Sequence, residues 1–227
     1  MGIISVEQAD RLYWLGRYTE RVNTTIRMFS RSFDSTIDRI SGSFDEFCKL
    51  IDIPNVYADI EDFNRNYPFD EANPNSILSN LNRAYDNAIV LRESIGSETL
   101  SYIQLAIYEM QKAKISEAPL IELQRVLDDL LAFWGIADDV IDDQRIRNII
   151  KAGKRIERID LYARLGIGGK ELIREVNRMI PRVERSGLSY DVDRLIKIKE
   201  MANSSQVDFY GLVAEVESIF QANGATA

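Results

Sequence analysis

The charged side chains that could do chemistry in this sequence lie in two similar segments, residues 16–27 and 153–164. Both follow the pattern G-[RK]-x-x-E-R-[VI]-[ND]-x-x-x-R without a gap. On a helix, the shared Gly, Glu, Asn or Asp, and final Arg lie on one face, because the intervals of four, three and four residues match the helical period. The glutamates could exchange protons or bind a metal, and the arginines could orient a carboxylate or phosphate.

The two glutamates of the pattern, Glu20 and Glu157, are the candidate catalytic residues, and with Asp160 they are the candidate ligands of a divalent metal. The cofactor itself stays unknown. The candidate substrate-binding residues are Arg17, Asn23, Arg27, Arg83, Asn87, Asp160 and Arg164. The same charges could instead pair with one another as a structural network, because a buried charge is costly unless it is paired. The pattern does not decide between these two interpretations.

The amino-acid composition argues against several classes of function. The absence of histidine excludes the usual zinc ligand sets, Ser-His-Asp triads and histidine proton transfer. The single cysteine, Cys48, excludes an internal disulfide and is interpreted as a small buried hydrophobe. The net charge of −8 argues against nucleic acid and anionic membrane surfaces. Since no signal peptide or apolar span is evident, we expect a reduced, cytoplasmic protein.

A second acidic motif, D-D-x-x-D, is formed by Asp138, Asp139 and Asp142. On one helix these carboxylates could hold Mg²⁺ for a diphosphate, as in helical isoprenoid synthases. Such an enzyme needs a facing acidic motif, and Asp34 and Asp38 are the candidates. The alternative is a solvated acidic face, or a helix start that the helix dipole favours.

Capping boxes, glycines and prolines divide the chain into helices. The first helix is predicted from about residue 6 to about residue 40, and a short one opens at 43–46. Later helices are predicted at 76–95, at 98–114, from 119, at 142–165, and as two or three helices over 170–221. The glycine-rich residues 166–170 lack the Walker spacing, so we expect a turn there and no nucleotide site in this chain.

No alternating strand of useful length appears, so the sequence predicts an all-α fold. We expect a single helical bundle of about seven to nine helices with an internal pseudo-two-fold repeat. One domain would cover residues 1–227, with a disordered tail at 222–227.

Residues 12–21, Leu-Tyr-Trp-Leu-Gly-Arg-Tyr-Thr-Glu-Arg, resemble the opening signature of the bacterial alpha-E family. Residues 73–79, Asn-Pro-Asn-Ser-Ile-Leu-Ser, followed by Arg83 and Asn87, resemble its central N-P-x-S-I block, and 153–164 resemble its third block. The chain is short for the family and has Ile-Ile-Lys-Ala before Gly153 in place of aromatic residues, which indicates a divergent member.

The resemblance implies a helical protein whose genes accompany circularly permuted ATP-grasp and transglutaminase-like proteins. It therefore implies action with an ATP-grasp ligase on a peptide substrate, in peptide formation or modification. Three interpretations remain open: an enzyme or enzyme subunit with a Glu/Arg centre, a non-catalytic helical partner, and an isoprenoid-synthase-like enzyme that uses residues 138–143. A homo-oligomer is open as well.

Overall fold

The structure, a computed structural model, describes residues 4–37 and 44–220, with side chains described at 4–31 and 44–220. Within these residues there are eleven α-helices, one 3-10 helix at Tyr67–Phe69 and no strand, which confirms the all-α prediction. The helices are α1 (Val6–Ile37), α2 (Phe44–Leu50), α3 (Ile60–Asn66), α4 (Ile77–Val90), α5 (Arg92–Ile95), α6 (Ser97–Ile115), α7 (Pro119–Val140), α8 (Gln144–Arg164), α9 (Gly169–Glu184), α10 (Val192–Asn203) and α11 (Phe209–Glu217). None of the helices described is both long and apolar enough to cross a membrane.

The chain divides into two compact units that interleave in sequence. The first unit consists of the described residues up to Arg17 and from Asp143 onward, and the second unit is Tyr18–Asp142. Helix α1 therefore gives its first turns to one unit and its remaining turns to the other. The single domain over 1–227 stays a prediction.

The core of the first unit is built from the apolar stripes of α8, α9, α10 and α11. Helix α9 shows the pattern clearly, because its buried residues recur at intervals of four, three and four: Leu172, Val176, Met179 and Val183. Helix α8 presents Ile156 and Ile159 to the same core. The start of α8 is fixed by Asp143, whose Oδ1 accepts a hydrogen bond of 2.8 Å from the backbone N–H of Arg145.

The second unit packs α4, α6 and α7 through apolar stripes and buries a cluster of aromatic rings. Phe63 and Tyr67 stack at 4.9 Å between ring centroids, and Phe29 and Phe47 pack around them. The segment between α2 and α4 is therefore held by its aromatic residues. Cys48 is 1% exposed, and burial raises the pKa of its thiol to about 11, so the prediction of a buried hydrophobe is confirmed.

Several predicted boundaries differ from the observed ones. The single helix predicted at 76–95 is divided at Leu91 into α4 and α5, so that short helices raise the count above seven to nine. The helix predicted to begin at residue 98 begins at Ser97, and Gly96, with φ of +83°, is its N-cap. The predicted end of the first helix near residue 40 and the tail at 222–227 lie outside the described residues.

Candidate functional site

Helices α1 and α8 cross in the first unit at Gly16 and Gly153, the glycines that open the two similar segments. A Cβ atom on Gly16 would overlap the carbonyl oxygen of Ile150, and one on Gly153 would overlap the carbonyl oxygen of Tyr13. The two backbones are thus in direct contact, which only glycine permits. Because Tyr13 and Ile150 each lie three residues before the glycine of their own segment, the crossing has local two-fold character. A repeat across the whole fold stays a prediction.

Beside this crossing lies the Arg17 network, which we define as Arg17, Glu157, Asp160 and Arg164. Arg17 Nε donates to Glu157 Oε2 at 2.6 Å, and its Nη2 donates to Asp160 Oδ2 at 2.9 Å. Arg164 Nε donates to the other oxygen of Asp160 at 2.7 Å. The exposed fractions are 4% for Arg17, 0% for Glu157 and 3% for Asp160. Four of the predicted site residues therefore come together as two carboxylates and two guanidinium groups.

The electrostatics of this network keep Arg17 charged. Burial alone lowers the pKa of Arg17, but Glu157, Tyr13 and Asp160 together outweigh this effect and raise that pKa above its ordinary value. Burial raises the pKa of Asp160, and the charge of Glu157 raises it further against the opposing effect of the two arginines. The guanidinium carbon of Arg17 also lies 5.2 Å from the ring centroid of Trp14, a cation–π distance.

The other predicted site residues lie in the second unit. Glu20 is completely buried, and its Oε1 accepts a hydrogen bond of 3.1 Å from Thr24 Oγ1. Asn23 Oδ1 accepts from Arg27 Nε at 3.4 Å, one turn further along α1.

On α4, Arg83 Nη1 donates to the carbonyl oxygen of Pro74 at 2.9 Å, and its guanidinium lies 5.8 Å from the ring of Tyr18. Asn87 lies half-buried one turn after Arg83. The bond from Arg83 to Pro74 thus ties the middle of α4 to the segment that precedes the helix.

The candidate metal ligands Glu157 and Asp160 both accept hydrogen bonds from guanidinium groups, and a positive group at that distance opposes a cation. No group of three or more acidic or cysteine side chains suited to a metal ion occurs among the residues that the structure describes. The metal assignment stays a prediction.

The acidic motif at 138–143 does not have the geometry that a diphosphate site requires. Helix α7 ends at Val140 and Ile141 is extended, so Asp142 is not on the same helix as Asp138 and Asp139. The prediction of these three carboxylates on one helix is therefore wrong. The next residue, Asp143, begins α8 as its N-cap, which agrees with the alternative of a helix start. The structure does not describe the side chain of Asp34 or any part of Asp38.

A second charged group in the first unit was not anticipated from the sequence. We call it the arginine cluster: Glu175 with Arg155, Arg158, Arg174 and Arg178. Glu175 is completely buried, and its oxygens lie 2.5 Å from Arg155 Nη1, 3.0 Å from Arg178 Nη1, 3.5 Å from Arg174 Nε and 3.6 Å from Arg158 Nη1. Arg174 and Arg178 are four residues apart on α9, and this spacing was the signal in the sequence.

A surface cleft of about 580 Å³ lies in the second unit. Its lining includes Tyr57, Asp62, Arg65, Asp70 and Lys114, and it includes none of the predicted site residues. The cleft mixes acidic and basic groups, and the predicted chemistry is located elsewhere.

The chain was compared with known families, curated proteins and solved structures. The model of the Alpha-E family, described as a predicted alpha-helical domain with a conserved ER motif, matches residues 7–179. Within the matched residues, the dipeptide Glu-Arg occurs at 20–21 and at 157–158. The comparisons with curated proteins and with solved structures found no match. In the second dipeptide, Glu157 binds Arg17 of α1 and Arg158 lies near Glu175 of α9, so one Glu-Arg pair links three helices.

Proposed function

Because this chain belongs to the Alpha-E family, we propose that it is a helical subunit that acts with an ATP-grasp ligase in peptide formation or modification. The ligase and the peptide substrate are the partners that the family resemblance implies. In this proposal the Glu/Arg residues of the two segments hold helices together and do not react with a substrate. The competing interpretation is an enzyme in which Glu20 and Glu157 act as acid and base.

The burial of both predicted catalytic carboxylates carries the proposal. Glu20 and Glu157 each have an exposed fraction of 0%. A general acid or base has to come within hydrogen-bond distance of the substrate or of an intervening water. Glu157 instead accepts a 2.6 Å charge-assisted bond from Arg17, which is itself 4% exposed. This environment supports a packing role for the carboxylate.

The balance of charge in the Arg17 network supports the same role. Two carboxylates face two guanidinium groups, and Glu217 lies 3.5 Å from Arg164 at the edge of the network. Breaking a buried ion pair by removing one partner costs about 3–5 kcal/mol, because a buried charge is left uncompensated. A network of this kind fixes how α1 packs against α8.

The test measures ATP consumption by an ATP-grasp ligase from the same genome, acting on its peptide substrate, with and without this chain. Wild type should raise ligase turnover. Glu157→Gln should be less stable than wild type. At a temperature at which circular dichroism shows it to be folded, it should raise ligase turnover as much as wild type does. Glu215→Gln is the matched control, since Glu215 is paired with Lys197 at 2.6 Å and Arg194 at 2.8 Å outside the two segments.

Two results contradict the proposal. If the wild-type chain does not change the turnover of the ligase, the proposed partnership is refuted. A folded Glu157→Gln that binds the ligase but supports no turnover assigns a catalytic role to the carboxylate. If Glu157→Gln does not fold, Arg17→Lys takes its place, because it keeps a positive charge beside Glu157 while changing the fork of hydrogen bonds.

A further inference from the structure

Helices α8 and α9 concentrate positive charge in a chain that is acidic as a whole. Together they carry eleven Lys and Arg residues against five Asp and Glu residues, whereas the net charge of the chain is −8. The arginine cluster lies on this helix pair, with Arg155 and Arg158 on α8 and Arg174 and Arg178 on α9. Local charge of this sign attracts anions even when the whole protein repels them.

The arginine cluster has more positive charge than its own carboxylate can balance. Arg155, Arg174 and Arg178 all pair with Glu175, so three guanidinium groups share one carboxylate, whereas the Arg17 network of the same unit holds two guanidinium groups and two carboxylates. One guanidinium fork is enough to satisfy a buried carboxylate, and each additional one adds repulsion. Burial lowers the pKa of Arg155, and Arg158 and Arg178 lower it further, so Glu175 offsets these effects only in part.

The outer arginines of the cluster are accessible. The side chains of Arg174 and Arg178 are 56% and 52% exposed, and those of Arg155 and Arg158 are 21% exposed. Among the residues that the structure describes, the ion pairs of Arg155, Arg174 and Arg178 all go to Glu175. Each guanidinium has five N–H donors in a fixed fork, so these arginines keep donors for a second acceptor. The cluster therefore forms a partly buried cationic floor with a solvent-facing rim.

We propose that the arginine cluster binds a small molecule that carries a phosphate or diphosphate group. Guanidinium forks match phosphate oxygens in pairs, and a group of two or more negative charges offsets the excess charge around Glu175. Arg155 contacts the anion from the floor, and Arg174 and Arg178 contact it from the rim. The inference is independent of the ligase partnership, because it depends only on groups of the first unit.

Isothermal titration calorimetry with inorganic pyrophosphate tests the inference. Inorganic phosphate and citrate are titrated in parallel, and sodium chloride at matched ionic strength measures screening alone. Pyrophosphate should bind with one site per chain and more tightly than phosphate. Absence of heat beyond the sodium chloride control overturns the inference. Tighter binding of citrate than of pyrophosphate overturns the phosphate assignment. A short RNA is titrated as well, and tighter binding of the RNA than of pyrophosphate overturns the small-molecule assignment.

Two double variants separate a site from general charge attraction. Arg174→Gln/Arg178→Gln removes the rim and leaves Glu175 with Arg155 and Arg158, and it should weaken pyrophosphate binding by about tenfold or more. Lys197→Gln/Lys199→Gln removes the same charge from α10 and leaves Glu215 with Arg194, and it should bind as wild type does. Equal losses in both variants, or no loss in the first, overturn the site. Arg174→Gln alone is used if the first double variant does not fold.

Discussion

The contact between α1 and α8 makes a definite prediction for Gly153→Ala. In an ordinary helix this change is favourable by about 0.5–1 kcal/mol, because alanine restricts the unfolded chain. At Gly153 the new Cβ would overlap the carbonyl oxygen of Tyr13 and would lie 3.3 Å from the backbone nitrogen of Arg17. Backbone atoms of a helix cannot move aside as a flexible side chain can, so the two helices have to separate.

The size of the effect follows from that separation. Restoring an ordinary carbon–oxygen contact moves the helices apart by roughly 1 Å. Overpacking of this kind costs about 1–3 kcal/mol. The same movement stretches the buried 2.6 Å bond between Arg17 and Glu157, and complete rupture of such a pair costs about 3–5 kcal/mol. After the gain from alanine is subtracted, the variant should lose about 2–4 kcal/mol of unfolding free energy.

Urea unfolding followed by tryptophan fluorescence measures this loss, since the chain has one tryptophan in each unit, Trp14 and Trp134. In a Trp134→Phe background the remaining tryptophan reports on the unit that contains Gly153. The matched control is Gly135→Ala on α7, where no atom lies within 4 Å of the added Cβ, read through Trp134 in a Trp14→Phe background. The control should gain about 0.5–1 kcal/mol. A Gly153→Ala variant as stable as its parent would refute the contact.

Two further predictions concern titratable groups. Burial raises the pKa of Cys48 to about 11, so iodoacetamide near pH 8 should modify the folded protein about a hundredfold more slowly than the urea-unfolded protein, as measured by mass spectrometry. Burial alone raises the pKa of Glu175, but Arg155 and Arg158 lower it below its ordinary 4.5. The stability that ionised Glu175 contributes is therefore complete above pH 4.5 and is lost as the pH falls through its folded value. Glu175→Gln should therefore be less stable than wild type at pH 7 and approach the stability of wild type near pH 3. Glu184→Gln, at an exposed position, is the control. An equal difference in stability between Glu175→Gln and wild type at both pH values would contradict the pairing.

Helix positions were largely predictable, because the capping residues and prolines that mark helix ends in the sequence also begin helices in the structure. Ser76 accepts from the backbone N–H of Ser79 at 3.0 Å as the N-cap of α4, and Pro119 starts α7. The acidic motif at 138–143 shows the limit of such signals. An acidic run suits both a helix interior and a helix start, and the N-cap bond of Asp143 favours the start. No glycine or proline marked that boundary.

The site was predictable in its residue types and not in its partners. The spacing placed Glu157, Asp160 and Arg164 on one face of α8, and the structure shows that face. The sequence did not indicate whether a ligand or a helix would approach Gly153, because that depends on contacts between residues about 140 positions apart. The convergence of arginines on Glu175 likewise requires α8 to pack on α9.

The division of α1 between the two units has a consequence for biosynthesis. Arg17 leaves the ribosome long before Glu157 and Asp160, and the whole second unit is made in between. Since domains generally fold as they are synthesised, the second unit can complete its core first. The first unit contains the earliest residues described, yet it is the last to complete its fold. Until then its arginine lacks both carboxylates and Gly16 lacks the backbone that it will contact. A ribosome stalled once residue 142 has left its exit tunnel would therefore present a second unit able to fold and an N-terminal helical segment still without its partners.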